Sequence, residues 1–189
     1  MNDLCKIEFK ELKQLYLYNN KISDIKVLEK VKFDKLEILN LGWNQISDIN
    51  ILEKVNFKEL KELYLNLNKI SDIKVLEKVK FNKLEILNLS DNKIFDINIL
   101  EYINFKVLKE LYLDHNIISN IKVLGKVKLE KLEKLFLNFN NIYDIDILEK
   151  IKFEKFKLIK LYLANNKIDF NKYSKIMSLL KSKIKYLYY

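Results

Sequence analysis

The sequence contains no arginine, no proline, one cysteine and one histidine. The single cysteine, Cys5, excludes an internal disulfide framework and fits a reducing compartment. The single histidine, His115, has no matching nucleophile, and no cluster of His, Cys or carboxylates has metal-ligand spacing. The two glycines, Gly42 and Gly125, are isolated, so no glycine-rich loop cradles a phosphate. We therefore predict no catalytic residue, no metal site and no cofactor.

Long hydrophobic runs are missing as well. No apolar stretch approaches the ~18–20 residues that a membrane-spanning helix needs. The N-terminal residues lack the basic and then apolar pattern of a secretory signal. These two absences predict a cytoplasmic protein without a membrane span.

Positive charge is abundant, but it comes from lysine alone. The chain has 35 basic and 26 acidic residues, for a net charge of +9. Such a balance suggests nucleic acid or an anionic surface as a partner. Arginine, which makes bidentate contacts to phosphate and guanine, is absent. We therefore interpret the excess of lysine as a compositional bias, and the sequence disfavours nucleic acid as the partner.

An eleven-residue phrase, LxxLxLxxNxI, recurs through the chain. It starts at Leu12 and returns every 24 residues as far as Leu132, and a two-residue insertion near Phe156 delays the next start to Leu158. Such a period is typical of a solenoid, in which each unit buries its apolar side only against its neighbours. We predict a single domain over residues 1–189, with a partial N-terminal unit (1–11), seven phrase-bearing repeats (12–168), and a C-terminal helix and terminal strand (169–189).

Each half of the unit has its own period. In the phrase, Leu63 and Leu65 alternate with polar residues, which predicts a strand with these leucines inward. In the return half, Ile73, Leu76 and Val79 recur every third residue, which predicts one short α or 3₁₀ helix. Ser71 or Asp72 is the expected N-cap. A column of aromatic residues should form the spine of the core: Phe33, Phe57, Phe81, Phe105 and Phe153, with Leu129 as its substitute.

The asparagine of the phrase ends the strand where the chain turns inward. Its amide can bond backbone groups of adjacent turns that lack a strand partner. We expect a continuous ladder made of Asn20, Asn44, Asn68, Asn92, Asn116, Asn140 and Asn166.

A longer period lies over the 24-residue one. Units one, three and five carry Leu-Tyr-Leu in the strand, as at 63–65, whereas units two and four carry Leu-Asn-Leu, as at 39–41. The array therefore looks like a two-unit duplication that was copied several times.

The phrase from Leu84 to Ile94 resembles that of leucine-rich-repeat proteins. The continuation Ile-Ser-Asp-Ile-x-x-Leu is most similar to phosphatase-regulator and internalin-type repeats, and the resemblance covers essentially the whole chain. It implies an α/β solenoid shaped as a horseshoe, with a parallel β-sheet on the concave face and short α or 3₁₀ helices on the convex face. It also implies a protein partner held on the concave face.

The third, fifth, seventh and eighth places of each phrase should face the concave side or its rim. Two interpretations stay open for the aromatic residues there: they suit a pleated surface and stack on the next strand, or they form an aromatic strip, bordered by carboxylates, that binds a protein. The candidate partner-binding residues are Tyr16, Trp43, Glu62, Tyr64, Glu110, Tyr112, Asp114, His115, Phe136, Phe139 and Tyr162.

Three hypotheses of function follow. The first is a non-enzymatic scaffold that holds a protein partner on the concave aromatic and acidic strip. The second is lysine-driven binding of nucleic acid or an anionic membrane through the convex face, which would weaken steeply with salt. The third is a structural repeat protein that self-associates edge to edge, because the strand around Tyr16 is an unpaired edge.

Overall fold

The computed structural model of the protein describes residues 9–151 and 157–189. The predictions that involve Cys5, Phe153, the insertion near Phe156 and most of the 1–11 unit lie outside these residues. The division of the chain at residues 12 and 169 stays a prediction.

Three-residue strands follow one another at the predicted interval. All are parallel and form one eight-stranded sheet in the order of the sequence. Leu39 of the second strand faces Leu63, and Leu63 faces Leu87, so each pairing is offset by one unit. Across the longer step, Leu135 faces Leu161. The strands are β1 Gln14–Tyr16, β2 Ile38–Asn40, β3 Glu62–Tyr64, β4 Ile86–Asn88, β5 Glu110–Tyr112, β6 Lys134–Phe136, β7 Lys160–Tyr162 and β8 Tyr186–Tyr188.

Short helical segments return the chain from one strand to the next. The sequence left α and 3₁₀ open, and the structure has 3₁₀ segments at Lys26–Glu29, Asn50–Glu53, Lys74–Glu77, Asn98–Glu101 and Lys122–Gly125. Two α-helices follow, α1 (Ile147–Lys150) and α2 (Ser174–Lys183). Parallel strands on one side and short helices on the other confirm the leucine-rich-repeat horseshoe. In the described residues no helix combines the length and hydrophobicity that a bilayer crossing requires.

The predicted N-cap is wrong by one position. Ile73, not Ser71 or Asp72, occupies the N-cap of the 3₁₀ segment Lys74–Glu77, and no side chain caps it there. The Asp72 carboxylate still accepts the N–H of Lys74 at 2.9 Å. The cap rule assumes an α-helix, whereas this segment is a tighter 3₁₀ helix that starts one residue later. Asp72 therefore precedes the N-cap residue, and its side chain makes an Asx turn with the backbone of Lys74 instead.

The core lies between the sheet and the helical segments. Inward strand leucines such as Leu63 and Leu65 are fully buried, as is Leu76 of the return half. The predicted aromatic spine is confirmed over the described residues: the rings of Phe33 and Phe57 have centroids 6.2 Å apart, and further rings continue the column. Leu129 fills the same column and is also buried.

The asparagine ladder is confirmed in the interior units. The Asn68 Nδ2 donates to the carbonyl oxygens of Leu41 and Leu65 at 3.0 Å, and its Oδ1 accepts the N–H of Ile46 at 2.9 Å. Each amide therefore joins two units. The same pattern holds at Asn44, Asn92, Asn116, Asn140 and Asn166.

Asn20 departs from the ladder. Its side chain is exposed and donates to the carbonyl of Tyr18, within its own unit. The prediction that Asn20 bridges two units is therefore wrong, because its amide reaches no carbonyl of another described unit. Only its backbone N–H takes part, by donating to the Asn44 Oδ1 at 3.0 Å.

Opposite charges meet across neighbouring units just before the strands. Lys61 lies 2.6 Å from Glu37, and Lys109 lies 2.6 Å from Glu85. A second row repeats the arrangement with the signs exchanged: Lys35 pairs with Glu11 at 2.6 Å and Lys83 pairs with Glu59 at 2.5 Å. Lysine and glutamate alternate from Lys13 to Glu133 in the first row and from Glu11 to Lys83 in the second, which follows from the two-unit period of the sequence.

Candidate functional site

The outward side chains of the sheet form one continuous surface, which we call the strand face. It consists of the third and fifth places of each phrase together with the seventh and eighth places beside them. Third- and fifth-place residues of β2–β7 are half-buried while the leucine between them is buried. All eleven candidate residues lie on this surface.

Aromatic rings stack without interruption from β5 to β8. The ring centroids of Tyr112 and Phe136 are 4.2 Å apart, with an interplanar angle of 8°. Phe136 lies 4.3 Å from Tyr162, which lies 4.3 Å from Tyr188. We call these four residues the ring stack. The distance between these parallel rings is close to the spacing of neighbouring strands, so the pairing of the strands sets the ring contact.

Tyr188 was missed among the candidate residues. The phrase pattern starts again at Ile184, and Tyr188 occupies its fifth place, so its position in the column was the signal that could have included it.

Asparagine interrupts the aromatic column in the first half of the sheet. Tyr64 faces Asn40 on one side and Asn88 on the other. Each asparagine turns to its own chain: the Asn40 Oδ1 accepts the N–H of Gly42, and the Asn88 Oδ1 accepts that of Ser90. Among the described residues no ring pair includes Tyr16, Tyr64 or Trp43.

Tyr16, Tyr64 and Tyr112 therefore stand two strands apart, and we call them the spaced tyrosines. Two strand intervals correspond to about 9.5 Å.

Carboxylates anchor two of the spaced tyrosines. The Tyr64 hydroxyl donates to the Glu62 Oε2 at 2.7 Å, and the Tyr112 hydroxyl donates to the Glu110 Oε2 at 2.5 Å. Burial, with the hydrogen bond to the carboxylate, raises the pKa of both tyrosines well above the usual range. Both hydroxyls therefore remain protonated donors at neutral pH.

Glu110 is held more strongly than Glu62. Burial acts to raise the pKa of the Glu110 carboxyl, but hydrogen bonds from Lys134 and Tyr112 outweigh it and lower that pKa. The Lys134 Nζ lies 2.5 Å from Glu110. The Glu110 carboxylate is thus ionised and already paired, whereas the Glu62 side chain has Tyr64 as its one hydrogen-bond partner among the described residues.

The eighth place has an unusual backbone. Trp43, Leu67, His115 and Phe139 all have positive φ, between 51° and 53°. For a bulky side chain this left-handed conformation costs about 1–2 kcal/mol, and only glycine, asparagine and aspartate adopt it readily. Other units meet the requirement with such residues: Asn19, Asp91 and Asn165.

The rings of the eighth place behave differently along the chain. Trp43 is 59% exposed without a ring partner among the described residues. His115 and Phe139 stack with centroids 4.1 Å apart. Burial raises the pKa of the Asp91 carboxyl, against the opposing charge of His115, whose Nδ1 lies 3.9 Å away. Asp114, at a seventh place, accepts the hydroxyl of Ser90 at 2.9 Å.

The strand face is thus a broad surface of rings and carboxylates. It can bury apolar area and accept hydrogen bonds from a partner. In residues 9–151 and 157–189, no group of three or more His, Cys, Asp or Glu side chains is arranged to hold a metal ion.

Comparison with known families agrees with the repeat architecture. A family model described as leucine-rich repeats in two copies matches residues 10–54, and a model of a single leucine-rich repeat matches residues 83–104. No curated protein matches the sequence at a significant level.

Solved structures of several repeat proteins are similar to this one. An internalin from Listeria monocytogenes is 29% identical with a TM-score of 0.73, over 95% of this chain and 48% of its own. Internalin C2 from the same organism is 24% identical with a TM-score of 0.72, over 94% of this chain and 71% of its own. The present chain thus spans about half the length of the first of these two proteins.

A plant structure shares the fold at greater distance. It is the leucine-rich-repeat ectodomain of the membrane receptor kinase GASSHO1/SCHENGEN3 from Arabidopsis thaliana, in complex with Casparian strip integrity factor 2. The identity is 24% and the TM-score 0.63, over 84% of this chain and 19% of the receptor chain.

Proposed function

Because the chain is a leucine-rich-repeat protein with repeats of the internalin-like type, we propose that it is a non-enzymatic scaffold that binds a protein partner through its strand face. Leucine-rich-repeat proteins are in general protein-binding scaffolds. The proposal concerns which surface of this chain is used and which residues carry the binding.

The observation that carries the proposal is the spacing of Tyr16, Tyr64 and Tyr112. Among the described residues Tyr16 and Tyr64 have no stacked ring, and Tyr112 is stacked on one side only, by Phe136. The uncovered ring faces can therefore be buried by another molecule. Tyrosine and tryptophan are the residues most often found as binding anchors, because they bury a large area and lose little conformational entropy.

The strained eighth place supports the same surface. At Trp43 and Leu67 the chain places large apolar side chains on a backbone that asparagine would satisfy at lower cost. Strain of this kind persists where it serves a function. Trp43 is also among the most exposed large apolar residues of the chain.

The ring stack contributes less to this proposal. Phe136 and Tyr162 are each covered by rings on both sides, so their contacts are those expected of neighbouring strands. We therefore centre the partner site on Tyr16, Trp43, Glu62, Tyr64 and Tyr112. The remaining candidate residues, Glu110, Asp114, His115, Phe136, Phe139 and Tyr162, form its continuation.

Affinity capture from native lysate tests the proposal with Tyr64→Asn as the variant. Asparagine is the residue that the chain itself carries at the same place in units two and four, so the fold should persist. Loss of this anchor should weaken the binding of the captured partner by ~2 kcal/mol, or roughly 30-fold in affinity. Lys26→Asn is the matched control on the convex side, because Asn50 and Asn98 occupy that place elsewhere. A partner held equally by wild type and Tyr64→Asn would contradict the proposal.

The other two hypotheses are separated by the same preparation. Binding of nucleic acid or an anionic membrane through lysine should fall steeply with salt, whereas an interface centred on aromatic residues should not. Edge-to-edge self-association through β1 should raise the scattered mass with protein concentration. A cytoplasmic location stays a prediction of the sequence.

A further inference from the structure

Two grooves of similar size lie on the helical side of the solenoid, two units apart. The first has a volume of about 460 Å³ and lies between the 3₁₀ segments Lys26–Glu29 and Asn50–Glu53. The second has a volume of about 450 Å³ and lies between Lys74–Glu77 and Asn98–Glu101. Because the array repeats every two units, the first groove is an internal reference for the second.

The second groove differs from the first at two positions. Phe95 occupies the repeat position that Ser47 occupies two units earlier, and Tyr102 occupies the position of Lys54, which lines the first groove. Both aromatic side chains are 60% exposed. The first six units otherwise carry serine at the first of these columns, apart from Tyr143, and lysine at the second. Two departures from a nearly uniform repeat therefore meet in one groove.

The same departures leave a carboxylate without its usual partner. Elsewhere a glutamate pairs with the lysine of the next unit: Glu29 with Lys54 at 3.5 Å, Glu53 with Lys78 at 3.4 Å, and Glu101 with Lys126 at 3.2 Å. The lysine expected opposite Glu77 is replaced by Tyr102. In the part of the chain that the structure describes, no cation pairs with Glu77.

Like the first groove, whose lining has the same net charge but whose Glu29 is paired with Lys54, the second groove is negative on a positive protein. Its charged lining residues are Asp72, Asp96 and Glu77 against Lys74, on a chain whose net charge is +9. The carboxylates of Asp72 and Asp96 each accept one backbone N–H, which leaves their second oxygen atoms available. The groove therefore offers two aromatic rings and unneutralised carboxylates together.

We propose that this groove is a second docking site, distinct from the strand face, and that it binds a basic segment of a partner protein in which lysine or arginine stands beside an apolar residue. The cation would lie over the ring of Phe95 or Tyr102 and pair with Glu77. The apolar neighbour would cover the rest of the exposed rings. The volume of the second groove falls within the range of about 300–1,000 Å³ that is usual for binding pockets.

The internal repeat supplies the test variants. The double variant Phe95→Ser, Tyr102→Lys turns the second groove into a copy of the first, with residues that the chain already tolerates at those places. The reverse variant Ser47→Phe, Lys54→Tyr copies the second groove onto the first and frees Glu29. Circular dichroism and thermal unfolding should show both variants folded like wild type.

Peptide selection identifies the preferred ligand without a lysate. A displayed library of random 12-residue peptides is depleted on the Phe95→Ser, Tyr102→Lys variant and then selected on wild type. We expect enriched peptides that carry lysine or arginine next to an apolar residue. A synthetic peptide of this class should bind wild type about tenfold more tightly than the double variant, and the reverse variant should bind two equivalents.

Two control variants and a light-scattering measurement decide the outcome. Glu77→Gln should weaken the peptide and reduce the salt dependence of its binding, and Tyr64→Asn should leave its binding unchanged, since the two surfaces are separate. Absence of enrichment over the double variant, or enrichment of peptides without a basic residue, would overturn the proposal. So would light scattering in which wild type self-associates and the double variant does not, because the occupant would then be a second copy.

Discussion

The first and second halves of the sheet have the same backbone and differ in the side chains that it presents. From β1 to β5, tyrosine alternates with asparagine at the fifth place, and from β5 to β8 every fifth-place residue is aromatic. Strand pairing and the asparagine ladder are the same in both halves. The comparison shows that the repeat fixes where a side chain stands, whereas its neighbour decides whether it is covered by the protein itself.

A single substitution in a repeat therefore has consequences beyond its own unit. Asn88, between Tyr64 and Tyr112, keeps these rings apart, whereas Phe136, between Tyr112 and Tyr162, joins them. In the second half the rings stack on one another, and these contacts stabilise the fold. In the first half Tyr16 and Tyr64 have no ring partner among the described residues, which is the basis of the proposed partner site.

The largest expected effect should be equal in the two halves. Asn68→Ala and Asn140→Ala each remove an amide that bonds buried backbone groups of two units. Leaving those groups unpaired should lower the free energy of unfolding by about 2–3 kcal/mol in each variant. Urea denaturation followed by circular dichroism measures both losses. Costs that differ by more than ~1 kcal/mol would mean that the halves differ in the backbone and not only on the surface.

A smaller effect should separate the halves. Phe136→Asn removes two ring contacts and should lower the free energy of unfolding by ~2 kcal/mol. Tyr64→Asn removes no ring contact and should cost less than ~1 kcal/mol, mainly for its hydrogen bond to Glu62. The same denaturation experiment compares them. Equal losses would show that Tyr64 is as much a structural residue as Phe136.

The smallest effect concerns the strained eighth place. Leu67→Asn should raise the free energy of unfolding by ~0.5–1 kcal/mol, because asparagine adopts positive φ more readily than leucine. Phe139→Asn gains the same relief but loses its stack on His115, so its stability should change by less than ~0.5 kcal/mol. Thermal unfolding of the two variants gives the comparison. A loss of stability in Leu67→Asn would show that the left-handed backbone is not strained there.

Much of this architecture can be predicted from the sequence, because every unit repeats the same physical problem. Leu63 and Leu65 alternate with polar residues, and Asn68 marks the turn, so the strand, its inward face and the ladder follow from spacing alone. The cap could not be placed in the same way. The Asp72 carboxylate accepts the N–H of Lys74, but the N-cap of this 3₁₀ segment is Ile73. The sequence left the choice between α and 3₁₀ open, so it could not fix the residue at which the segment begins.

The surfaces are harder to predict than the core. Phe95 and Tyr102 were not among the candidate residues, since each looks like an isolated exposed aromatic in a polar column. They lie at the two ends of the 3₁₀ segment Asn98–Glu101, and only the fold brings both into the groove between this segment and Lys74–Glu77. Their departure from the columns of serine and lysine was the available signal. Ring stacking could not be predicted from the sequence either. The column of fifth-place residues does not give the distances between the rings, so it does not tell which of them are covered.

The alternating charge rows have a consequence for how such a chain can lengthen. Removing the unit between Lys13 and Lys61 would place lysine beside lysine, and copying it would place glutamate beside glutamate; like charges on adjacent strands repel. Two units gained or lost together restore every pairing of Glu37 and Glu85 with a cation. A change by an even number of units therefore preserves the charge pairing, whereas a change by an odd number does not.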